Sequence, residues 1–504
     1  MSDIDALLSR LKFSPSDLSA TVALAEAAAA SQEEERALPF VAGLAAKRKT
    51  DPLLWQWTGL LHRALDQHAE ALKAFNAAAQ YAPGNTRIAQ GRAQVALEAG
   101  LNAVGLFERA IALEPNNGEM LLSRAAARYA IGDDERAIAE IEALLGLHPG
   151  WYPGHERLIQ LRWMMGERQH ATDMLERTIS ANPGDLQLWR MLILTHIEAR
   201  CWDAALDAIR RGKAVLNEQL SFTTTEAIVH SETGAVAEAD RLFAILDEVQ
   251  DLSVVIRQVR HLLRTHRVDA ALPKIDRWLA PSGPQRGMWP YASIAWTLAG
   301  DPRAAWLDGH PAFVSVIDLA DRGLDLARLA TVLRGIHRAK GEHLDQSVRG
   351  GTQTDGPLFS RVEPEIQALR ALIVAAVAEH AATLRTRDPK HPLLGFRAPT
   401  RPRFAGSWSV RLGGQGYHAN HVHPAGWISS AFYVALPPDT GSEAGWLTLG
   451  SPQAELGLDL PPARTVEPRP GRLVLFPSTM WHGTNPYPSG ERLTVAFDVA
   501  LPTD

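Results

Sequence analysis

Three histidines and an arginine near the C-terminal end of this chain have the types and spacing of a metal site. His421 and His423 are two residues apart, so on an extended strand both side chains face the same way. His482 ends the run 472–482, and Arg492 follows the loop 483–490. A third imidazole from a distant strand would complete a three-point cluster that leaves one side of a metal open. Because imidazole suits iron, we interpret the cluster as a candidate iron(II) site for oxygen chemistry.

Arg492 indicates that the same site holds an anion. If the segments on either side of Tyr487 form a hairpin, Arg492 lies directly across from His482. An arginine inside an otherwise apolar barrel needs a compensating negative charge. The planar guanidinium fork fits a carboxylate in a bidentate manner, so a carboxylate ligand is expected.

The same residue types also occur without oxygen chemistry. Histidines on strands are commonly surface or hydrogen-bonded residues, and a structural zinc would also accept three imidazoles together with a fourth ligand. A β-sandwich that binds a sugar or peptide without metal is a further alternative. Trp481, beside the candidate ligand His482, is expected to pack in the core and to shield the site from water.

The bulk composition is that of an ordinary soluble protein. The chain has 504 residues, a formal net charge of −6 and a single cysteine, Cys201. The length allows two to four domains, the mildly acidic balance argues against nucleic acid as a partner, and one cysteine excludes an internal disulfide. The N-terminus lacks the basic and apolar pattern of a secretory signal, and the apolar segment Ala371–Ala382 is too short to span a bilayer. We therefore expect a cytoplasmic protein that does not enter membranes.

The N-terminal part carries a helical repeat. Alanines recur at intervals of 32 or 34 residues: Ala71, Ala103, Ala137, Ala171, Ala205, Ala239, Ala271 and Ala305. Prolines close the first units: Pro83, Pro115, Pro149 and Pro183. Phe75 lies four residues after its alanine, and Gly59 lies twelve before. Small residues allow two antiparallel helices to approach, an aromatic fills the remaining gap, and proline ends the second helix.

The pattern changes near Trp306. A helical stretch is predicted over 312–340 and another over 364–384, on either side of a polar segment, 343–355, that has the pattern of neither helix nor strand. Short strands separated by turn signals follow. They are predicted at Ser407–Leu412, Trp427–Ala435, Gly445–Leu449, Arg472–Phe476 and Arg492–Val499. Such a series is typical of a β-sandwich or a double-stranded β-helix.

Two family resemblances follow from these patterns. The repeat units resemble tetratricopeptide repeats, whose period is about 34 residues. The C-terminal pattern resembles the iron(II)- and 2-oxoglutarate-dependent dioxygenases, in a prolyl-hydroxylase-like branch. Its motif has His-x-acid on one strand, a tyrosine about ten residues later, a distant histidine and then an arginine. By this resemblance His421, His423 and His482 hold iron(II), while Arg492 and Tyr433 hold the distal carboxylate of 2-oxoglutarate. Apart from the resemblance, Arg411 on the predicted strand that contains Trp408 is a further candidate anion contact, and a solvated charge at the sheet edge is the alternative.

One position departs from the family motif. His423 stands where the family has a carboxylate, so the ligand set has three neutral imidazoles instead of the usual two histidines and one carboxylate. Iron(II) then keeps a higher net charge and is held less tightly, or the site uses chemistry that does not need 2-oxoglutarate. A carboxylate from elsewhere, such as Asp498 or Glu491, could also supplement the ligands.

The polar segment before the strands is a candidate substrate-recognition loop. It carries hydrogen-bonding side chains on either side of Gly350 and Gly351, which permit unusual backbone angles. The candidate substrate contacts are Gln346, Arg349, Gln353 and Thr354. A capped connection between helices is the alternative, and a similar segment in the resembling family favours recognition.

The sequence therefore predicts a multidomain protein with an all-α tetratricopeptide-like solenoid, 1–305, followed by a double-stranded β-helix (jelly-roll) domain with flanking helices, 306–504. Residues 306–390 form its helical lead-in. The expected function is hydroxylation of a polypeptide, or of a small molecule, by iron(II) with 2-oxoglutarate as co-substrate. The expected partner is a protein or peptide held by the repeats, with no nucleic acid, and a homo-oligomer remains open. Two other functions remain open: a three-histidine dioxygenase independent of 2-oxoglutarate, and a non-catalytic scaffold whose barrel senses a metal or metabolite.

Overall fold

The computed structural model describes residues 3–344, 346–384, 387–399, 401–437 and 443–502. The chain divides into two compact units. One contains Met1–Ile141 and Asp355–Ala371, and the other contains Glu142–Thr354 and Leu372–Pro502. The predicted domain boundary between residues 305 and 306 stays a prediction, since compactness alone does not define where a repeat array ends.

The N-terminal part of the chain is a series of antiparallel helix pairs. Up to residue 216 its helices are α1 Asp3–Phe13, α2 Leu18–Ser31, α3 Glu34–Lys47, α4 Pro52–Ala64, α5 His68–Tyr81, α6 Thr86–Glu98, α7 Val104–Leu113, α8 Gly118–Ala130, α9 Asp134–Leu147, α10 Tyr152–Met164, α11 Asp173–Ala181, α12 Leu186–Glu198 and α13 Trp202–Leu216. The series continues with α14 Leu220–Glu232, α15 Val236–Ile245, α16 Leu252–Arg264, α17 Val268–Trp278, α18 Trp289–Ala299 and α19 Arg303–Asp308. This is an all-helical, tetratricopeptide-like solenoid, as the spacing predicts.

Small residues allow the neighbouring helices α4, α5 and α6 to pack closely. A Cβ atom added to Gly59 would lie 2.6 Å from the Phe75 ring, and one added to Gly91 would lie 2.5 Å from it. Phe75 is fully buried between these two glycines, which lie on α4 and α6. As predicted, small residues allow these helices to approach each other, and the ring of Phe75 fills the gap between them.

The repeated alanines lie in the helix interfaces. Seven of them, from Ala71 to Ala271, are at most 2% exposed. Ala305 is exposed in the short helix α19, because no further helix of the repeat covers it. The alanine spacing therefore extends to Ala305, although only the seven earlier alanines are buried between helices.

Two antiparallel sheets follow in the C-terminal part. Their strands are β1 Ser315–Asp318, β2 Val348–Gln353, β3 Phe404–His418, β4 Gly426–Ala435, β5 Leu447–Leu449, β6 Arg464–Val466, β7 Arg472–Pro477, β8 His482–Thr484 and β9 Arg492–Ala500. One sheet has the order β1-β7-β4-β9-β3-β2 and the other has the order β6-β5-β8. The same part of the chain also contains two helices, α20 Leu326–Ile336 and α21 Pro364–Thr383.

Two sequence predictions in this part were wrong. The stretch 312–340 contains strand β1 as well as helix α20, because Ser315–Asp318 pairs with β7 at the edge of the larger sheet. The polar segment 343–355 contains strand β2, which adds to β3 through a bulge between Arg349 and Gly351. Edge strands bury one face at most, so neither carries a strong alternating pattern. Asp345 lies outside the described residues.

The predicted hairpin between His482 and Arg492 was also wrong. Strand β8 pairs with β5, placing His482 opposite Leu449, whereas β9 pairs with β3 and β4, placing Arg492 opposite Leu412. The loop between them contains prolines, which cannot donate ladder hydrogen bonds, and the chain crosses from one sheet to the other.

Helix α21 is long and apolar enough to cross a membrane by length and composition, with 44% of its most apolar window buried. It is longer than the apolar segment Ala371–Ala382 considered in the sequence. Its residues Ile366, Leu369, Ile373 and Val377 are fully buried. A core helix of a globular protein has the same length and apolarity, so this helix is weak evidence for a membrane span.

The packing around Phe75 generates a stability prediction. Gly59→Ala should lower the free energy of unfolding by about 1–3 kcal/mol, because the new methyl group overlaps the buried ring. Gly43→Ala is the matched control, since Gly43 is exposed on α3 with nothing within 4 Å of its added Cβ. It should stabilise the protein by about 0.5–1 kcal/mol through helix propensity. Urea denaturation measures both, and equal effects of the two variants would contradict the packing argument.

Candidate metal centre

Three imidazoles converge at one end of the two sheets. The backbone N–H of His421 donates to the carbonyl of His482 at 2.9 Å, and the N–H of His482 donates back at 3.0 Å. This isolated β-bridge joins the loop before β4 to the start of β8. His423 follows two residues later, and its N–H donates to the Ser478 carbonyl at 2.9 Å. One ligand atom from each histidine lies within 4.8 Å of the others.

Each imidazole is oriented by a hydrogen bond at its Nδ1 atom. His421 and His482 each direct Nδ1 at the carbonyl oxygen two residues earlier, at 2.9 and 3.0 Å. The Nδ1 of His423 contacts Asp498 Oδ2 at 2.6 Å. With Nδ1 donating, the lone pair of every neutral ring lies on Nε2. The Nε2 atoms are therefore the donors available to a metal ion.

Burial keeps the His421 and His482 rings in the neutral form that binds metal. Burial, together with the neighbouring imidazoles, holds the pKa of His421 and of His482 well below the ordinary value. A fourth ring, His418, has its pKa lowered to about 3 by burial and by Arg492. A neutral imidazole keeps one N–H and presents a lone pair on its other nitrogen, and imidazole lone pairs suit iron or zinc.

A fourth histidine, His418, lies close to the cluster. Three residues along an extended strand would place it on the opposite face from His421. However, β3 ends at His418 and the chain turns before His421, so their rings stack at 6.1 Å. His418 lines the same cavity and its Nδ1 contacts the Ser347 hydroxyl at 3.2 Å, outside the three-histidine group.

Arg492 lies beside the cluster as a buried cation. It is 2% exposed, and its Nη1 donates to the Gly445 carbonyl at 2.6 Å. Its Nε atom has no hydrogen-bond partner, and no carboxylate among the described residues pairs with it. The guanidinium lies 5.1 Å from the centre of the Tyr433 ring. Burial lowers the pKa of Arg492, whereas the phenols of Tyr433 and Tyr487 oppose that change.

The phenols beside Arg492 are themselves unpartnered. The hydroxyls of Tyr433 and Tyr487 are buried and make no hydrogen bond to described residues. Burial raises the pKa of both, so they stay protonated. A buried hydroxyl without a partner is costly, so a guanidinium Nε and two phenols that lack partners indicate that a polar group binds here.

The cluster opens into a cavity of about 50 Å³. Besides the four histidines and Arg492, its walls include Gln346, Ser347, Gln353, Trp408, Ser429, Ser430, Ala431, Leu447, Phe476, Gly483, Thr484, Thr494, Ala496 and Asp498. The Trp408 ring stacks on the His423 ring at 5.6 Å and 9°. The walls combine neutral hydrogen-bonding groups with apolar surface, as is usual for ligand sites.

The predicted substrate contacts divide into two pairs. Gln346 and Gln353 line the cavity. Arg349 instead folds back onto backbone carbonyls of its own strand, and Thr354 is buried in a pairing with Ser409. Those two side chains therefore hold the polar segment in place and do not face the cavity.

The predicted anion contact Arg411 lies outside the cavity lining. Its Nε donates to Glu491 at 2.6 Å, and its side chain is 47% exposed. Glu491 also accepts from Arg334 at 2.8 Å, so this carboxylate belongs to a surface ion-pair network. Neither residue lines the cavity into which the imidazoles open.

Arg286 supports the site but carries no signal in the sequence. It is 2% exposed and donates to four carbonyl oxygens, those of Pro281, Pro392, Pro424 and Gly426, at 2.7–2.9 Å. Burial lowers its pKa to about 10. The last two carbonyls belong to the turn directly after His423, so Arg286 fixes that turn. A single arginine in an irregular segment has no periodicity by which sequence reasoning could find it.

Comparison with known families supports the interpretation of the C-terminal strands. The model of a family described as "Putative 2OG-Fe(II) oxygenase" matches residues 406–498, which contain the three histidines and Arg492. The chain is also 22% identical over 196 residues to the N-terminal acetyltransferase A complex auxiliary subunit NAA15 of Arabidopsis thaliana. That match covers 38% of this chain and 19% of the relative, so the chain spans about a fifth of the protein it matches.

Solved structures of helical-repeat proteins overlap parts of the chain. YrrB, a tetratricopeptide-repeat protein with an unusual peptide-binding site, is 19% identical, covers 37% of this chain and 96% of its own, and has a TM-score of 0.30. A tetratricopeptide-repeat protein from Parabacteroides merdae is 16% identical, covers 47% and 95%, and has a TM-score of 0.30. MamA from Desulfovibrio magneticus is 16% identical, covers 33% and 94%, and has the same score.

Replacing Arg286 tests whether it fixes the turn after His423. Arg286→Met should lower the free energy of unfolding by about 3–5 kcal/mol, because four carbonyls, two of them in buried contacts, lose their donor. The control is Arg322→Met, which removes a 38% exposed arginine paired with Glu379 and should cost under about 1 kcal/mol. Chemical denaturation measures both. A loss for Arg286→Met no larger than that of the control would contradict its role.

Proposed function

We propose that this chain is an iron(II)- and 2-oxoglutarate-dependent oxygenase that hydroxylates a polypeptide or a small molecule. The observation that carries the proposal is the convergence of three oriented imidazoles beside a buried arginine that lacks an acidic partner among the described residues. The family model that matches residues 406–498 supports the same chemistry.

The residues present fit both groups that this chemistry needs. His421, His423 and His482 would hold iron(II) through Nε2, since each Nδ1 is already engaged. Arg492 and Tyr433 would hold the distal carboxylate of 2-oxoglutarate, which satisfies the guanidinium Nε and the phenol. Bound iron(II) supplies the oxidation, in which 2-oxoglutarate and O₂ yield succinate and CO₂ while one oxygen atom enters a C–H bond.

The surrounding side chains position the reactants and exclude water. The Phe476 ring lies 4.7 Å from the His482 ring and is fully buried, so it closes the apolar side of the cluster. Gln346 and Gln353 lie on the wall of the cavity, where their amides can bind a polar substrate. The carbonyl contacts at Nδ1 keep His421 and His482 in one tautomer while substrate exchanges.

We further propose that the two antiparallel sheets are the two halves of a double-stranded β-helix. Sites of this fold lie where the two sheets meet at one end, which is where β8 of the smaller sheet joins the loop before β4 of the larger one. The helical repeats would then bind a polypeptide substrate or partner, because curved arrays of this kind offer an extended concave surface.

A second candidate is a three-histidine dioxygenase that does not use 2-oxoglutarate. The absence of a carboxylate from the three-residue ligand group, among the described residues, favours this possibility. Arg492 would then hold a carboxylate of the substrate itself. Succinate formation that requires 2-oxoglutarate separates the two, since only the first candidate consumes it.

Removing one imidazole tests the metal centre. His482→Ala should weaken anaerobic iron(II) or manganese(II) binding at least 100-fold, since two imidazoles remain, and should abolish succinate formation. His380→Gln is the control, because His380 is a buried histidine that does not line the cavity. It should leave metal affinity within about twofold of the original chain. Unchanged metal binding in His482→Ala, measured by calorimetry, would rule out this centre.

Replacing Arg492 tests the co-substrate site. Arg492→Gln should raise the KM for 2-oxoglutarate at least tenfold and leave metal affinity within a few-fold, because the guanidinium contacts the anion and not the imidazoles. Arg492→Lys keeps the charge but loses the planar fork, so its KM for 2-oxoglutarate should lie between that of the original chain and that of Arg492→Gln. An unchanged KM in Arg492→Gln would show that the carboxylate binds elsewhere.

A further inference from the structure

The proposed iron site lacks the anionic ligand that such sites ordinarily have. Three neutral imidazoles leave the full double positive charge on a bound iron(II), whereas two imidazoles and a carboxylate reduce it by one. A buried, under-compensated cation is costly in a low-dielectric site. Before an anionic co-substrate binds, a nearby negative charge that is not itself a ligand would offset part of that charge.

Asp498 is placed to supply that charge. It lies on β9 opposite Ser429 of β4, and it is 9% exposed. Its Oδ2 accepts from His423 Nδ1 at 2.6 Å, and its Oδ1 accepts from the Ser429 hydroxyl at 2.5 Å. Asp498 is the single carboxylate among the described residues that line the cavity.

The carboxylate has no lysine or arginine as a partner. No such cation in the described part of the chain forms an ion pair with Asp498, whose partner is the imidazole of His423. A nearly buried carboxylate without a counterion is unfavourable unless a positive charge lies beyond its hydrogen-bond partner. The Nε2 atom lies on the other side of the His423 ring from Nδ1, and His423 belongs to the group of three histidines whose ligand atoms lie within 4.8 Å of one another.

Asp498 does not replace a ligand directly. Both of its oxygens are occupied, one by His423 and the other by Ser429, whose hydroxyl also contacts Ser478 at 3.0 Å. Gly426 leaves room for this arrangement, since an added Cβ would lie 2.7 Å from the Ser478 hydroxyl and 3.3 Å from Asp498 Cβ. The carboxylate is thus held behind the ring, where it can act only through it.

We propose that Asp498 is a positioning residue that supplies, through His423, the negative charge that a ligand carboxylate would otherwise contribute. The strong hydrogen bond polarises the imidazole, makes Nε2 a better donor and fixes its tautomer. The proposal rests on the proposed metal centre and adds to it a fourth residue. It accounts for a histidine in the ligand position that the family motif gives to an acid.

Asp498→Asn separates charge from shape, since asparagine is isosteric and its amide oxygen can still accept from His423. Anaerobic iron(II) titration should show affinity at least tenfold weaker than in the original chain. The reduction potential of the bound iron should rise, because losing a nearby negative charge destabilises iron(III) more than iron(II). Glu491→Gln is the control, because it removes a carboxylate near the start of β9 that does not contact an imidazole. It should change affinity by less than about twofold.

Three results would overturn the proposal. The first is an unchanged iron(II) affinity in Asp498→Asn, and the second is an equal loss of affinity in Asp498→Asn and Glu491→Gln. The third is weaker iron(II) binding in Asp498→Asn with an unchanged reduction potential, because Asp498 would then have a purely structural role. If Asp498→Asn does not fold, Ser429→Ala loosens the same carboxylate without removing charge. It should weaken iron(II) binding several-fold, and unchanged affinity would overturn the proposal. The proposed function fails separately, if the original chain binds no iron(II) or if His482→Ala binds it equally well.

Discussion

The candidate site depends on one short piece of backbone pairing, the bridge between His421 and His482. Two hydrogen bonds, of 2.9 and 3.0 Å, join a loop of the larger sheet to a strand of the smaller sheet. Without this bridge, the two histidines would belong to segments that share no other strand pairing in the described part of the chain. With it, their rings approach to 4.1 Å between centroids, and His423 enters from the same loop. The imidazole cluster is thus a consequence of how the two sheets are closed at one end.

The second constraint is electrostatic. On one side of the cluster lies a buried cation, Arg492, without an acidic partner among the described residues. On another lies a nearly buried anion, Asp498, without a lysine or arginine partner there. If the two charges balanced one another directly, the structure would show an ion pair between them. They face different groups instead, which leaves room for a carboxylate beside the arginine and for a metal cation beyond the imidazole of His423. Isolated buried charges are expensive, so an arrangement that keeps two of them apart is better explained by function than by stability.

The sequence predicts the clustering of the three histidines with Arg492 better than it predicts the strands that hold them. Histidine spacing, the distant Trp481-His482 pair and Arg492 can be found because each side chain has a distinctive chemistry. The hairpin that would have joined His482 to Arg492 does not exist, since the intervening loop carries the chain from one sheet to the other. Edge strands such as β2 give little alternation and are missed for that reason. The sequence names Asp498 only as a possible supplementary ligand, because its contacts with His423 and Ser429 cannot be known before its neighbours across the sheet are known.

The helices from α10 to α19 belong to the same compact unit as the imidazole cluster, and the segment around the start of α18 contacts both ligand loops. Arg286, directly before α18, donates to the carbonyls of Pro424 and Gly426 after His423. Trp481, directly before His482, donates its indole N–H to the carbonyl of Pro290 at 2.9 Å. Ligands on two separate chain segments are therefore held against one short stretch of helix. The end of the helical series is therefore a structural component of the candidate metal centre.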